Sequence, residues 1–207
     1  MNGIVLVGAG GLAREVMAAS PGAVVGIVDD DPRRHGTTVG GVPVLGAVRE
    51  VVHRPEQVLV CIGPSAVRRD VVRSLESAGL SADRHATFVA ASARIGAGCT
   101  VGAGSIVLDG VVMTADAALG RHVVVMPNTV VTHDDEVADF ATLAAGVALG
   151  GGVRIGEAAY VGMNAAIRQG IAVGDGATVG MGAVVLSDVP AQQTWAGVPA
   201  RPLGVFA

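Results

Sequence analysis

Aliphatic residues recur at every sixth position through the second half of the chain, without an interruption or a change of register. At a chance frequency of about one in three for such residues, a run of this length is not accidental. The residue four places after each of the first seven is small or β-branched, from Ala93 to Thr129, and glycine often follows the aliphatic residue directly. The repeating positions are Val89, Ile95, Val101, Val107, Met113, Leu119, Val125, Val131, Val137, Leu143, Leu149, Ile155, Val161, Ile167, Val173, Val179 and Val185.

This period predicts a parallel β-helix. Six residues supply one short strand and one turn, with a single large aliphatic side chain pointing inward. Three such units close a triangular coil, and successive coils stack at about 4.8 Å, the spacing of paired strands. A helical repeat is disfavoured, because six is not close to a multiple of 3.6 and each glycine would cost about 1 kcal/mol in a helix. The spacing alone does not determine the handedness.

The first eighty residues follow a different pattern, in which strands and helices alternate. We predict strands at Ile4–Val7, Val24–Val28 and 58–62, with helices over 14–19 and 66–78. About three strands make a small parallel α/β domain, half of a dinucleotide-binding sheet. The expected organisation is an α/β domain over 1–82, a β-helix over 83–190 and a C-terminal tail over 191–207.

A glycine-rich segment follows the first strand, with Gly8 and Gly10 spaced as in a dinucleotide fingerprint. Its backbone N–H groups at a helix N-terminus would suit an anionic group. Asp29 and Asp30 stand where a carboxylate could accept hydrogen bonds from a ribose or a uracil. We favour a sugar or nucleotide-sugar site over an NAD site. The alternative is that the glycines only turn the chain and the acids cap it.

His133 is the candidate general base. It occupies the third place of its hexapeptide, so its side chain should leave the coil. One coil later comes Gly151, which places a bare backbone over the imidazole and whose N–H could polarise a thioester carbonyl. A neutral imidazole can take a proton from a hydroxyl or an amine near pH 7. The alternative is an ordinary exposed turn residue.

Three acids follow His133 directly, namely Asp134, Asp135 and Glu136. We assign Asp134 as the residue that supports His133, and expect at least two of the three to be only solvated. The tail contains Trp195 and Arg201. Trp195 would cover the end of the coil or stack on a neighbour, and Arg201 would either meet a CoA phosphate or cap the fold.

Composition and charge narrow the classes of partner. Apolar residues make up 51% of the chain but aromatic residues only 2%, so small aliphatic side chains must build the core. The net charge is −4 and no basic cluster is present, which excludes nucleic acid as the main partner. No apolar run is long enough to span a membrane, so we expect no membrane partner and a cytoplasmic location. Cys61 and Cys99 are expected to be buried thiols.

Zinc-dependent catalysis is the alternative function for a β-helix of this type. The γ-type carbonic anhydrases need three imidazoles around the metal. Only His122 and His133 lie well inside the coils, and the sequence contains no close histidine pair. His35, His53 and His85 fall outside the coils or at their edge. We therefore expect no metal.

The order of several segments resembles that of the sugar acetyltransferases that include the bacillosamine-pathway N-acetyltransferase and the sialic acid O-acetyltransferases. The resemblance covers nearly the whole chain. The segments are Gly8-Ala9-Gly10-Gly11, Asp29-Asp30, Ile62-Gly63, the hexapeptide coils, Val131-Thr132-His133-Asp134 and Ala196-Gly197-Val198-Pro199-Ala200-Arg201.

The resemblance implies a left-handed β-helix, a homotrimer with sites at subunit interfaces, and acetyl-CoA in the groove between neighbouring coils. It also implies His133 as general base, assisted by Asp134. A nucleotide-linked sugar would bind in the N-terminal domain and the cofactor on the coils. The substrate contacts would be Gly10, Gly11, Leu12, Asp29, Asp30 and Gly63, and the cofactor contacts Thr142, Gly151, Met163 and Met181.

This chain departs from the family pattern at two of these positions. Leu12 stands where the family often has a histidine that holds the substrate, and Thr142 stands where it has a histidine that contacts the cofactor. The sequence therefore predicts direct acetyl transfer from acetyl-CoA to an amino or hydroxyl group of a sugar whose identity stays open. The alternatives are a non-catalytic sugar-nucleotide-binding trimer, or an acyltransferase with another acyl-CoA or a non-sugar acceptor.

Overall fold

The computed structural model describes residues 3–19 and 24–204. Its N-terminal part is a five-stranded sheet in the order β3-β4-β2-β1-β5, in which β3 alone is antiparallel to its neighbour. Helix α1 follows β1, and helix α2 follows β5. The elements are β1 (Ile4–Val7), α1 (Gly11–Ala19), β2 (Val24–Val28), β3 (Thr38–Val39), β4 (Val42–Gly46), β5 (Gln57–Val60) and α2 (Ser65–Ser77), with 3-10 helices at Pro32–Arg34, Val48–His53 and Ala82–Arg84.

The prediction of about three strands was wrong, because β3 and β4 add a hairpin to the edge of the sheet. Gly40 and Gly41 form its turn with φ of 57° and 81°, a conformation that glycine adopts without strain. Glycines and Pro43 interrupt the apolar pattern of this segment, which hid both strands. Two helix starts also differ, since α1 begins at Gly11 and α2 at Ser65.

The rest of the chain winds into coils of short strands, nearly all of two residues, and successive coils pair in parallel, as Val112 does with Val130. At the end of the chain, Arg201–Pro202 pairs with Thr194–Ala196 in antiparallel. In chain order the strands are β6 (Phe88–Val89), β7 (Arg94–Ile95), β8 (Thr100–Val101), β9 (Ile106–Val107), β10 (Val112–Met113), β11 (Ala118–Leu119), β12 (Val124–Val125), β13 (Val130–Val131), β14 (Glu136–Val137), β15 (Thr142–Leu143), β16 (Ala148–Leu149), β17 (Arg154–Ile155), β18 (Tyr160–Val161), β19 (Ala166–Ile167), β20 (Ala172–Val173), β21 (Thr178–Val179), β22 (Val184–Val185), β23 (Thr194–Ala196) and β24 (Arg201–Pro202).

These strands form three faces of a prism. The first face contains β7, β10, β13, β16, β19 and β22, and the second contains β8, β11, β14, β17 and β20. The third face contains β6, β9, β12, β15, β18, β21, β23 and β24. The turns between consecutive strands therefore stack into three corners, and each corner lies opposite one face.

The second residue of each strand supplies the interior, as the six-residue period predicts, and these side chains form one continuous buried cluster. The first coil is an exception. Val89 and Ile95 are 39% and 36% exposed, because no preceding coil covers them. At the other end, β23 pairs with β21 and Trp195 packs against the buried cluster. The tail thus closes the prism, which is the covering role predicted for Trp195.

The α/β domain packs on the third face and on the corner between the second and third faces. Three residues of that corner adopt left-handed backbone conformations, His122, Phe140 and Ala158, with φ of 53°, 61° and 53°. Such a conformation costs a residue with a side chain about 1–2 kcal/mol. Phe140 and Ala158 pack in one buried cluster with Val72 and Leu75 of α2. Contact between the domains thus offsets the backbone strain.

Candidate functional site

A cavity of about 1120 Å³ lies between the loops of the α/β domain and the third face of the β-helix. The loops after β1 and β5 form one wall, and outward side chains of the third face form the other. Of the residues predicted to bind substrate or cofactor, those that line the cavity are Gly10, Gly11, Leu12, Asp29, Gly63, Thr142 and Met163.

The glycine loop opens directly onto this cavity. A Cβ added to Gly10 or Gly11 would meet no atom within 4 Å, so a ligand can approach the bare backbone there. Gly8 has φ of 96°, and a Cβ at this position would lie 3.1 Å from the carbonyl oxygen of Cys61. Gly8 is therefore needed for the turn and its close contact with the neighbouring strand, whereas Gly10 and Gly11 keep the cavity wall open.

The two adjacent aspartates have different surroundings. Asp29 accepts hydrogen bonds from the backbone N–H of Ala9 at 2.7 Å and of Asp31 at 2.9 Å, and it lines the cavity. Asp30 accepts from the N–H of Val48 at 2.9 Å, at the start of a 3-10 helix, and is not among the cavity residues. Asp29 thus holds the glycine loop in place, while Asp30 caps a neighbouring element.

Leu12 is 8% exposed and lies at the boundary between the two domains. It belongs to a buried cluster that includes Ile106, Leu108 and Val124 of the third face. This position is therefore apolar and anchors the glycine loop to the β-helix.

Arg68 of α2 is the cationic group that fixes the opposite side of the cavity. No sequence pattern distinguishes it from the other arginines of this helix. It is fully buried, and burial lowers its pKa to about 10. Its guanidinium nitrogens donate hydrogen bonds to both domains. The acceptors are the carbonyl oxygens of Ile62, Gly63, His122, Phe140 and Ala141 and the hydroxyl of Thr142.

Thr142 is part of this junction. Its side chain is 4% exposed, accepts from Arg68 and Ser65, and lies 3.2 Å from the carbonyl oxygen of Gly63. The threonine hydroxyl is thus engaged between the domains. Thr142 also lines the cavity, so the junction lies directly beside its wall.

His133 lies at the corner between the first and second faces, in the turn after β13. Its side chain is 67% exposed, and Nδ1 is 2.8 Å from Oδ2 of Asp134. This hydrogen bond is the main cause that raises the pKa of His133. Asp134 has φ of 60°, a left-handed turn position that aspartate tolerates well. The pairing of the two residues is therefore built into one tight turn.

The predicted stacking of His133 on Gly151 is present in the structure. A Cβ on Gly151 would lie 2.3 Å from Cε1 and Nε2 of the imidazole, so only glycine leaves room for the ring. Gly152, the next residue, donates a backbone hydrogen bond to the carbonyl oxygen of His133 at 2.9 Å. The turn of the next coil therefore sets the position of the imidazole.

Asp135 differs from the expectation that two of the three acids are only solvated. It is fully buried, and it accepts from the N–H of Thr132 at 2.6 Å and of Val153 at 2.8 Å. Burial raises its pKa. Asp135 occupies an interior position of the repeat, at which every other coil has a small or β-branched residue. A charged residue at this register is the signal in the sequence. Its carboxylate fixes the turn that carries His133.

The corner that holds His133 is opposite the third face, against which the cavity lies. His133, Asp134 and Gly151 are accordingly absent from the cavity wall, as is Met181, which is 72% exposed. Met163 is 46% exposed, lines the cavity and lies one coil before Met181. Within the described residues of a single chain, His133 and the glycine loop that contains Gly10 and Gly11 are thus on opposite sides of the prism.

His85 and His122 form a close pair, so the expectation that no such pair exists was wrong. Their ring centroids are 4.5 Å apart in an edge-to-face arrangement, and both side chains are buried. Burial lowers the pKa of both, that of His122 to about 3. The sequence does not predict this pair, because His85 precedes the coils in sequence and contacts them only across the domain junction.

Two family models match the chain. The one described as the PglD N-terminal domain matches residues 3–75, and the one described as the hexapeptide repeat of succinyl-transferase matches residues 152–187. A comparison with curated proteins found no match. No helix in the described ranges is long and apolar enough to cross a membrane.

Several solved structures are similar over nearly the full length. A mutant of perosamine N-acetyltransferase from Caulobacter crescentus, in complex with CoA and GDP-perosamine, is 31% identical, with a TM-score of 0.88 over 99% of this chain and 98% of that chain. The acetyltransferase domain of PglB from Neisseria gonorrhoeae FA1090 is 31% identical, with a TM-score of 0.87 over 98% and 100%. WeeI from Acinetobacter baumannii AYE is 30% identical, with a TM-score of 0.87 over 98% and 100%.

Proposed function

The chain belongs to the hexapeptide-repeat sugar acetyltransferases that carry a PglD-type N-terminal domain, and we propose that it moves the acetyl group of acetyl-CoA to an amino or hydroxyl group of a nucleotide-linked sugar. The observation that carries this proposal is the imidazole of His133, which is paired with Asp134 and seated over the bare backbone of Gly151. It provides an exposed base whose ring position is set by the next coil.

His133 acts as the general base. The hydrogen bond from Nδ1–H to Asp134 assigns the tautomer that leaves Nε2 unprotonated and free to accept a proton. The acceptor nitrogen or oxygen attacks the thioester carbonyl as its proton moves to Nε2. The C–S bond then breaks, and the proton passes from the imidazolium to the CoA sulfur. Such assistance contributes about 10²–10⁴-fold to the rate.

The acceptor binds in the α/β domain. The N–H groups at the start of α1, next to Gly10 and Gly11, suit the diphosphate of a nucleotide sugar, and Asp29 holds that loop. A bound GDP-perosamine in the similar Caulobacter crescentus enzyme makes nucleotide-linked amino sugars the first class to test. The apolar side chain of Leu12 supports an acceptor that makes no hydrogen bond at this point of the loop.

We further propose that the working site forms between copies in a homotrimer. The candidate base and the substrate loop lie on opposite sides of one chain, so a corner of one copy must meet the third face of the next. A cyclic arrangement of three copies repeats this contact with no free end. Met163 and Met181 of the exposed coil surface would then flank the acetyl-CoA arm. The cytosol supplies both acetyl-CoA and nucleotide sugars, and we place the enzyme there.

The experiment is a transfer assay with acetyl-CoA labelled in the acetyl group and a panel of GDP-, UDP- and dTDP-linked sugars, with and without an amino group. We expect label on one acceptor class, and loss of at least about 100-fold in kcat for His133→Asn with acetyl-CoA binding retained. Binding of nucleotide sugars without transfer from any acyl-CoA, including succinyl-CoA, would favour a non-catalytic binding protein. Full activity of His133→Asn would remove the base assignment.

A further inference from the structure

Three side chains from three separate parts of the chain meet at the domain junction: Glu76 near the end of α2, His85 in the segment that leads into the β-helix, and His122 in the corner between the second and third faces. One ligand atom of each lies within 4.8 Å of the others. His85 Nε2 is 3.4 Å from Oε1 of Glu76. This cluster is on a different corner of the prism from His133.

The two imidazoles are buried without the partners that buried polar groups require. His122 is fully buried and His85 is 5% exposed. Both ring nitrogens of His122 and Nδ1 of His85 have no hydrogen-bond partner among the described residues, and Nε2 of His85 has only the carboxylate of Glu76 at 3.4 Å. Leaving a buried polar atom unpaired costs about 1–3 kcal/mol, so a ligand that binds one nitrogen of each ring would remove part of this cost.

Neutral imidazole nitrogens and a carboxylate oxygen are ligands of zinc and similar divalent ions. Around a tetrahedral ion with bonds of about 2.1 Å, neighbouring ligand atoms lie about 3.4 Å apart. The separation of His85 from Glu76 already matches this value. The other pairs of ligand atoms lie within 4.8 Å, so they need to close by up to about 1.4 Å. We propose that Glu76, His85 and His122 form a structural site for a divalent ion of the zinc class.

Three arginines near the cluster affect its charge, namely Arg68, Arg84 and Arg121. Arg121 forms an ion pair with Oε1 of Glu76, and its side chain is 40% exposed, so it can turn into solvent when an ion takes the carboxylate. Arg68 donates to the backbone carbonyl oxygen of His122 and not to its ring, which leaves the ring nitrogens available. The positive charge of the arginines lowers the affinity of the site for a cation. Removing Arg121 should therefore raise that affinity.

A bound ion would join α2, the connecting segment and the first coils at one point. The junction also contains Arg68, which positions the Gly63 loop of the cavity. The role is structural, because both imidazoles are buried and the cluster lies away from the corner that carries His133. The inference does not depend on the proposed transferase activity.

The test is cobalt binding to the tag-free full-length protein after dialysis against a chelator, followed by visible absorption and by thermal unfolding with and without Zn²⁺. We expect one equivalent of Co²⁺ per chain with the intense visible bands of tetrahedral coordination, and a Zn²⁺-dependent rise in Tm. Glu76→Gln and His85→Gln should each lower the affinity at least about tenfold, while Arg121→Gln should raise it.

His133→Asn is the control, because it removes an exposed imidazole to which a metal ion could bind nonspecifically. This variant should leave the cobalt spectrum unchanged. A spectrum that disappears in His133→Asn, or that survives in both Glu76→Gln and His85→Gln, would overturn the proposal. So would the absence of any cobalt bands or Zn²⁺-dependent Tm shift in the wild-type protein, which would leave a buried water as the partner of the imidazoles.

Discussion

The imidazole of His133 occupies the space that a side chain on Gly151 would fill, with Cε1 and Nε2 only 2.3 Å from the position of a Cβ. The two residues are one coil apart, so the β-helix itself sets the orientation of the candidate base. A glycine at this place in the next coil is therefore part of the site, although it carries no reactive group.

Gly151→Ala should displace the imidazole and lower kcat/KM by about 10- to 100-fold, since a shift of about 1 Å in a catalytic group can have an effect of that size. Gly151 does not have a left-handed φ, so alanine should leave the folded state intact. Steady-state kinetics and circular dichroism measure the two effects. In a His133→Ala background, Gly151→Ala should change activity little. An equal loss in both backgrounds would mean that Gly151 acts independently of the ring.

Asp134→Asn should move the acidic limb of the kcat/KM profile to lower pH. Asp134 raises the pKa of His133 by accepting a hydrogen bond, and the base works only when it is neutral. Without the carboxylate the imidazole loses its proton at a lower pH, while the plateau rate falls because the base is weaker. The measurement is a pH–rate profile of both proteins. An acidic limb at the same pH in both proteins would show that Asp134 does not set the pKa of the titrating group.

Arg68→Met should destabilise the protein strongly, by about 3 kcal/mol or more of unfolding free energy, because it leaves several buried carbonyl oxygens without donors. Arg73→Met is the matched control. Arg73 also reaches from α2 to the β-helix, but its ion pair with Glu157 is exposed, and its loss should cost less than about 1 kcal/mol. Urea unfolding measures both. Equal effects would contradict the bridging role of Arg68.

Asp29→Ala should raise KM for the sugar acceptor about tenfold or more and leave KM for acetyl-CoA nearly unchanged. The carboxylate of Asp29 accepts two backbone hydrogen bonds that shape the cavity loop, and their loss costs about 1–3 kcal/mol. Asp30→Ala is the comparison, since Asp30 caps an element beside the cavity. Initial rates at varied acceptor concentration distinguish the two. A larger effect from Asp30→Ala would reverse the assignment.

The sequence predicted the β-helix well, because a period of six with inward aliphatic residues has few other solutions. The resemblance to sugar acetyltransferases, the fold and the enzyme class are confirmed. The stacking of His133 on Gly151 also followed from the period, since residues one coil apart must lie above each other. In the same way, the inward position of Asp135 could have been derived from its register.

Features that depend on contact between the domains could not be predicted. Arg68 occurs in a helix with several arginines, and only the packing of α2 on the third face shows that it is the buried one. The pair of His85 and His122 likewise forms between segments whose relative placement no local pattern contains. The hairpin of β3 and β4 was hidden for a different reason, since its glycines and proline resemble those of a loop.

The central claim is that each site combines the base of one copy with the cavity of another. The most direct measurement is the activity of oligomers mixed from two inactive chains, His133→Asn and Gly10→Glu. The second substitution introduces a negative side chain into the cavity. With a different tag on each chain, mixed oligomers can be isolated by two successive affinity steps. In a cyclic trimer every mixed species contains one intact pairing, so the account predicts about one third of wild-type activity per trimer. Activity no higher than that of the two inactive parents would show that each site forms within a single chain.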